Sequence, residues 1–280
     1  KIQGLQVTKF GWTSMSNIII DNNVILTSSL DKFTLMAARN ITLEGNFHYN
    51  GNGDLFLYAQ SGDIISHVKT DAITSSGKVT LQGNAMYGTD DNDSWDLVVN
   101  APVLDLVFNN GTATQQSLIS GNFDQLTISG GYQANLDLYV KGMNSFVLNH
   151  VSGLSASSAV HLDTAASGSD LTLVETSDKS QLMEFGQLDI DAKNVNIKSN
   201  LNAAGDIDIT AMNSLIIDDD VTINNQDKAK TNAMALAVTH GDLTLNSEKL
   251  SFGKSFSATA GGDLFINNYK NLSADQSFLA

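Results

Sequence analysis

A chain of 280 residues with 30 Asp and Glu against 15 Lys and Arg has a formal charge of −15, which argues against binding to nucleic-acid phosphates or to anionic membrane surfaces. Cysteine is absent and Arg39 is the sole arginine, so disulfide frameworks, thiolate metal sites and cysteine nucleophiles are excluded. Charged residues make up only 16% of the chain, their place taken by Asn, Ser, Thr, Asp and Gly, the residues of tight turns; no stretch is apolar for the ~18 residues that a helix needs to cross a bilayer.

From the N-terminus onward the chain is built of short apolar–polar–apolar triplets. Residues 1–89 hold them at Ile18–Ile20, Val24–Leu26, Phe33–Leu35, Ile41–Leu43, Leu55–Leu57 and Val79–Leu81. In such a triplet the first and third side chains face one way and the second the other, the period of an extended strand. The middle, roughly 90–187, is looser, with triplets such as Leu97–Val99, Leu104–Leu106, Leu126–Ile128, Phe146–Leu148 and Leu171–Leu173; it predicts longer strands or wider corners. From residue 188 the pattern tightens again: Leu188–Ile190, Val195–Ile197, Leu201, Ile207–Ile209, Leu215–Ile217 and Val221–Ile223.

Skipping three members, 188 leads to 207, 195 to 215 and 201 to 221, steps of about 20 residues. That recurrence predicts three short strands per coil, each coil stacked on the one before. Two phrases repeat with it. NITLEGN at 40–46 returns as KVTLQGN at 78–84, with QLTISGG at 125–131 a looser copy. Gly–Asp precedes an apolar triplet at 53–54, 205–206, 241–242 and 262–263, where Gly is expected to supply the positive φ of a sharp corner. Strands at 8–12-residue spacing would also suit a β-sandwich, but sandwich strands do not repeat one phrase. The expected fold is all-β, a parallel β-helix of roughly 20-residue coils forming one domain over 1–280, about 14 coils in all. No segment has a convincing helical period; Ala229–Val238 comes nearest by composition and is expected to be a short helix or a loop. The ending Phe278–Leu279–Ala280 reads as an interrupted repeat, which suggests a fragment of a longer chain.

Residues 23–64, NVILTSSLDKFTLMAARNITLEGNFHYNGNGDLFLYAQSGDI, and 195–215, VNIKSNLNAAGDIDITAMNSL, resemble the repeats of filamentous haemagglutinin-type adhesins, exoproteins of bacterial two-partner secretion. The resemblance implies a right-handed parallel β-helix, export through an outer-membrane barrel transporter, a secreted or cell-surface location, and adhesion to a glycan or protein receptor on a host or bacterial surface, with self-association into fibres as a further property. Alternatives built on the same repeats are the stalk of a contact-dependent toxin delivery protein and a glycan-cleaving β-helix enzyme.

Few residues point to chemistry. The acidic run 90–96 offers Asp91, Asp93 and Asp96 as oxygen ligands for Ca²⁺, although the Gly and distal Glu of an EF-hand loop are missing; an acidic solvent loop is the plainer account. No other cofactor is expected. Asp218–Asp220 reads as a corner. Glycoside hydrolysis needs two carboxylates about 5–9.5 Å apart, which outward Asp189 and Asp208 could supply, but with 30 acids on a repetitive scaffold such proximity arises by chance. The histidines, His48, His67, His150, His161 and His240, lie far apart in sequence and read as surface or corner residues, and no nucleophile elbow or metalloprotease motif is present. The chain is therefore expected not to be an enzyme. Trp12, Tyr49, Tyr87 and Trp95 sit in polar surroundings and are candidates for a carbohydrate surface, because an aromatic face covers a sugar ring while its polar edge bonds hydroxyls; cap or loop packing is the alternative role.

Overall fold

The computed structural model describes residues 6–8, 11–51, 53–90, 92–109, 115–134, 136–175, 182–225, 231–247, 249–267, 271–274 and 278–279. They form an all-β parallel solenoid in which no helix occurs among the described residues. Contacts divide the chain into two compact units, Lys1–Lys141 and Gly142–Ala280.

In the first unit each coil has three strands, one on each side. One side stacks Ile18–Ile20, Ile41–Leu43, Ile64–Ser66 and Met86–Thr89 in parallel. The next stacks Val24–Leu26, Phe47–Tyr49, Ile73–Ser75 and Leu97–Asn100. The third and broadest stacks Lys32–Ala37, Asp54–Ala59, Val79–Gly83, Val103–Phe108 and Gln125–Ala134. At the N-terminal end Gln6–Thr8 turns back antiparallel on Gly11–Ser14.

The triplets fold this way because alternate residues go inside. Ile41, Leu43, Leu55 and Leu57 are fully buried, each continuing a column of apolar side chains from the coil before. Each such side chain contributes roughly 1.5–3 kcal/mol. The strand ends leave corner amides unpaired, and side-chain carbonyls from the preceding coil accept them. Asn17 Oδ1 takes the Asn40 N–H at 3.1 Å, Asn40 Oδ1 takes the Asp63 N–H at 3.0 Å, and Asp63 Oδ1 takes the Ala85 N–H at 3.1 Å. This ladder accounts for corner residues rich in Asn and Asp, since a buried N–H without an acceptor is costly.

Most coils are longer than about 20 residues, so fewer of them fit the chain. Steps in the first unit run from 22 residues (Ile64 to Met86) to 26 (Phe47 to Ile73). In the second they run from 18 (Met183 to Leu201) to 28 (His161 to Asp189). The pairings of 188 with 207 and 195 with 215 hold, but Leu201 lies beside Ile223 rather than Val221. Residues 188–190 and 195–197 belong to one strand, Gln187–Ile197, with a register shift between Ala192 and Asn194.

Three expectations need correcting. The phrases 40–46 and 78–84 are not coil equivalents: Ile41 lies between Ile18 and Ile64, whereas Val79 lies between Leu55 and Leu104 on another side. What recurs there is a strand followed by a corner, the same local chemistry on different sides. The phrase at 125–131 does share a column with Val79, since Leu104 pairs with Leu126. Second, Ala233–Val238 is a strand with Met234, Leu236 and Val238 inside; period-two burial overrides the helix-favouring Ala and Met. Third, glycine in the Gly–Asp phrase answers to crowding rather than to positive φ. Leu243 lies beside Leu264, one coil of 21 residues, and Asp242 Oδ1 accepts the Asp263 N–H at 2.8 Å. A Cβ on Gly241 would stand 1.8 Å from the Asn213 carbonyl oxygen of the coil before.

Candidate functional site

Outward side chains carry whatever function the solenoid has, and they group in four places. In the first unit, Met86–Thr89 and Ser94–Trp95 form an antiparallel hairpin with Gly88 opposite Trp95. Of the acidic run, Asp90, Asn92 and Asp93 lie at the hairpin tip. Asp90 Oδ1 accepts the Asn92 and Asp93 N–H groups at 2.9 and 3.0 Å, which holds the Asp90 carboxyl below its ordinary range. Of the Ca²⁺ candidates, Asp93 Oδ1 accepts the Ser94 N–H at 2.9 Å and Asp96 pairs with Lys141 Nζ at 3.3 Å, while Asp91 lies outside the described residues. No group of three or more metal-ligating side chains comes together among the described residues.

The aromatic candidates separate. Tyr49 is a correction: it is 1% exposed, packed inside against Phe33, because it is the third residue of the inward-facing pattern of Phe47–Tyr49. Trp12 is half-buried edge-on to Phe33 at 5.5 Å. Tyr87 and Trp95 do share the hairpin. The Tyr87 hydroxyl stands 3.5 Å from Asp63 Oδ2, and desolvation pushes the Asp63 carboxyl and the Tyr87 phenol both upward. Trp95 Nε1 donates to the Val68 carbonyl at 3.2 Å, and Lys69 Nζ lies 4.6 Å from its ring centre. A second aromatic group was missed in the sequence. Phe56 and Tyr58 both face outward on Asp54–Ala59, stacked at 5.8 Å, with Lys32 Nζ 4.2 Å from the Phe56 ring. The alternation D-L-F-L-Y-A was the available signal, since residues two apart share a face.

The second unit carries an acidic face. His161, Asp189 and Asp208 line up on successive coils, as do Asp163 and Asp191 beside them. Neighbours in such a column are about 4.8 Å apart. His161 Nδ1 contacts Asp189 Oδ2 at 3.1 Å. Burial first, then the charges of Asp189 and Asp206, raise the Asp208 carboxyl; burial, then Asp163 and Asp189, raise Asp191. A raised carboxyl binds its proton more tightly folded than unfolded, so the folded state is relatively favoured at low pH and loses that advantage as pH rises through the folded value. Asp208→Asn should therefore gain about 0.5 kcal/mol at pH 7 and low salt. The gain should shrink in high salt and vanish below about pH 3.5, as urea unfolding at several pH values would show.

The fourth group lies on the outward edge of Phe146–Leu154. His150 and Ser152 flank the buried Val151, and both face outward. His150 Nε2 stands 2.9 Å from Ser152 Oγ, and His150 Nδ1 2.5 Å from Glu175 Oε2. Glu175 comes from the next coil, where Leu148 pairs with Leu173 and the Val174 N–H donates to the Leu148 carbonyl. Its side chain is 1% exposed against 23% for that of His150, and its N–H donates to Ser199 Oγ. Glu175 also lines a concavity of about 630 Å³ with Lys198, Ser199, Asn200 and Asp218–Asp220; these last three form the expected corner. The sequence signal is His-x-Ser with a Glu 25 residues after the His, a spacing that a coil of about 20 residues does not bring together. Elsewhere His67 Nδ1 pairs with Glu44 Oε2 at 2.8 Å, also across one coil, so histidines here meet carboxylates of neighbouring coils rather than one another.

No protein family matches the chain, and neither a curated protein nor a solved structure does.

Proposed function

We propose that the chain is a structural and adhesive shaft segment of a secreted or surface-anchored bacterial adhesin of the filamentous haemagglutinin type. The observation that carries this reading is the division of labour between the two sides of each strand. Inward positions are mostly apolar, aliphatic with aromatics such as Phe33, Phe47 and Tyr49 among them, whereas outward positions differ from coil to coil: Lys32, Asp54 and Lys78 in one column, Thr34, Phe56, Thr80 and Asp105 in the next. Each coil contacts only its neighbours, so a shaft can lengthen, and its outer face vary, without changing the fold. The acidic charge keeps such a surface soluble and unattached to nucleic acid. Export of the full-length chain would use an outer-membrane barrel transporter, and attachment a glycan or protein receptor.

Half-exposed Phe56–Tyr58 and the Trp95 hairpin are the faces best suited to sugar rings. A glycan and matrix-protein array, run with and without EDTA, tests this. Binding that falls at least about tenfold in Tyr58→Ala or Trp95→Ala, a loss of about 1.4 kcal/mol, is expected. Absence of binding to every glycan, matrix protein and cell surface tried would remove the adhesive role. A loss with EDTA that survives Asp93→Ala and Asp96→Ala would rule out a cation at the hairpin.

A further inference from the structure

The Ser152–His150–Glu175 group has the order of contacts that nucleophilic acyl transfer requires. A serine hydroxyl lies within hydrogen-bond reach of one imidazole nitrogen, and a carboxylate holds the other. Glu175 is buried, so its carboxylate meets little competition from water, and Ser199 fixes its backbone. With the Nδ1 proton donated to Glu175, the Nε2 lone pair faces the Ser152 hydroxyl. Immediately after the nucleophile, Gly153 takes a positive φ of 70° within the strand Phe146–Leu154. None of this is needed to stack coils: the outward His67 reaches Glu44 on a neighbouring coil with no serine on its second ring nitrogen among the described contacts.

We propose that Ser152, His150 and Glu175 form a catalytic triad that hydrolyses short-chain acyl esters of hydroxyl-rich molecules. Ser152 Oγ attacks the ester carbonyl as its proton passes to His150 Nε2. The tetrahedral intermediate collapses, the C–O bond to the alcohol breaks, and the alcohol leaves with the proton from Nε2. Water then attacks the acyl-serine, gives its proton to the same nitrogen, and releases the carboxylic acid as Ser152 recovers its hydrogen. Glu175 acts as a positioning residue that keeps the imidazole oriented and stabilises it when protonated. Ser152 and His150 lie on the half-buried outer face rather than in a deep pocket, which suits a short acyl group. The concavity beside them, which shares Glu175 but not Ser152 or His150 in its described lining, offers Lys198, Ser199, Asn200 and Asp218–Asp220 as donors and acceptors for the hydroxyls of the alcohol.

The test uses the 280-residue chain with a fluorophosphonate probe and with p-nitrophenyl acetate. The expected result is one adduct, on the peptide holding Ser152, and turnover that falls at least about 100-fold in Ser152→Ala. Ser152→Ala removes one outward hydroxyl and should leave the unfolding midpoint unchanged, so lost turnover would not be lost folding. Glu175→Gln should lower kcat more than KM and alter the pH–rate profile of turnover, which loss of packing alone would not do. No adduct at Ser152, adducts spread over other serines, or turnover equal in Ser152→Ala would overturn the proposal. Surface binding does not involve Ser152, so the shaft reading and the esterase reading fail separately.

Discussion

Ile190→Ala should destabilise the second unit by about 3 kcal/mol. Ile190 is 0% exposed and sits in an inward column between Leu162 and Ile209, one coil to either side. Removing its side chain opens a cavity that neither neighbour can fill, because both are held in place by their own strand pairings. In a stacked fold the damage extends in both directions, since each coil templates the next. Urea unfolding should show a lower midpoint, and hydrogen exchange should quicken across Gln187–Ile197 and Ile207–Ile217. Asp191→Ala, one residue away but facing outward, should not destabilise, because it removes a like charge beside Asp163 and Asp189. A cost for Asp191→Ala equal to that for Ile190→Ala would mean that the inward and outward assignments are wrong.

Gly121→Ala should be as damaging, at about 3 kcal/mol or more. Gly121 is buried at the end of Ser117–Gly121 with φ 146°, and a Cβ there would lie 1.8 Å from the Val99 carbonyl oxygen. The obstacle is backbone, so no side-chain rotamer relieves it. The corner that follows is pinned as well: Asn122 donates its N–H and its side-chain amide to Asn100 Oδ1 at 3.1 and 3.0 Å. Gly168 provides the contrast. Its φ is 65°, but nothing stands within 4 Å of its Cβ position, so Gly168→Ala should cost only about 1 kcal/mol of backbone strain. Equal costs at the two glycines, measured by denaturant midpoints, would assign both effects to φ and remove coil-on-coil crowding as the cause.

The inward pattern was legible because burial imposes a strict period of two on short strands. Leu188 beside Ile207 and Val195 beside Leu215 follow from it directly. Coil length was less legible. Corners absorb extra residues without disturbing the strands, so the compact stretch after 188 suggested about 20 residues where most coils have more. Repeated phrases misled for a related reason: a Gly or Asn corner looks the same on any of three sides, so 40–46 and 78–84 match in sequence while facing differently. Tyr49 reads as a surface aromatic because its neighbours are polar, yet those neighbours, His48 and Asn50, are the outward partners of an inward residue. The Ser152–His150–Glu175 group needed the register itself. Its members are ordinary residues until a 25-residue coil sets Glu175 beside His150.

The stacking register is open to direct measurement because the chain contains no cysteine of its own. Thr42 and Ile65 are outward neighbours on successive coils, paired through Ile41–Leu43 and Ile64–Ser66. Cysteines placed at both positions should form a disulfide on mild oxidation, since parallel neighbours about 4.8 Å apart fall within the Cα separation a disulfide accepts. Thr42→Cys combined with Thr80→Cys, the match suggested by the repeated phrase, should not cross-link, because Thr80 lies beside Phe56 and Asp105 on another side of the coil. Cross-linking of 42 with 80 and not with 65 would contradict the stacked-coil register.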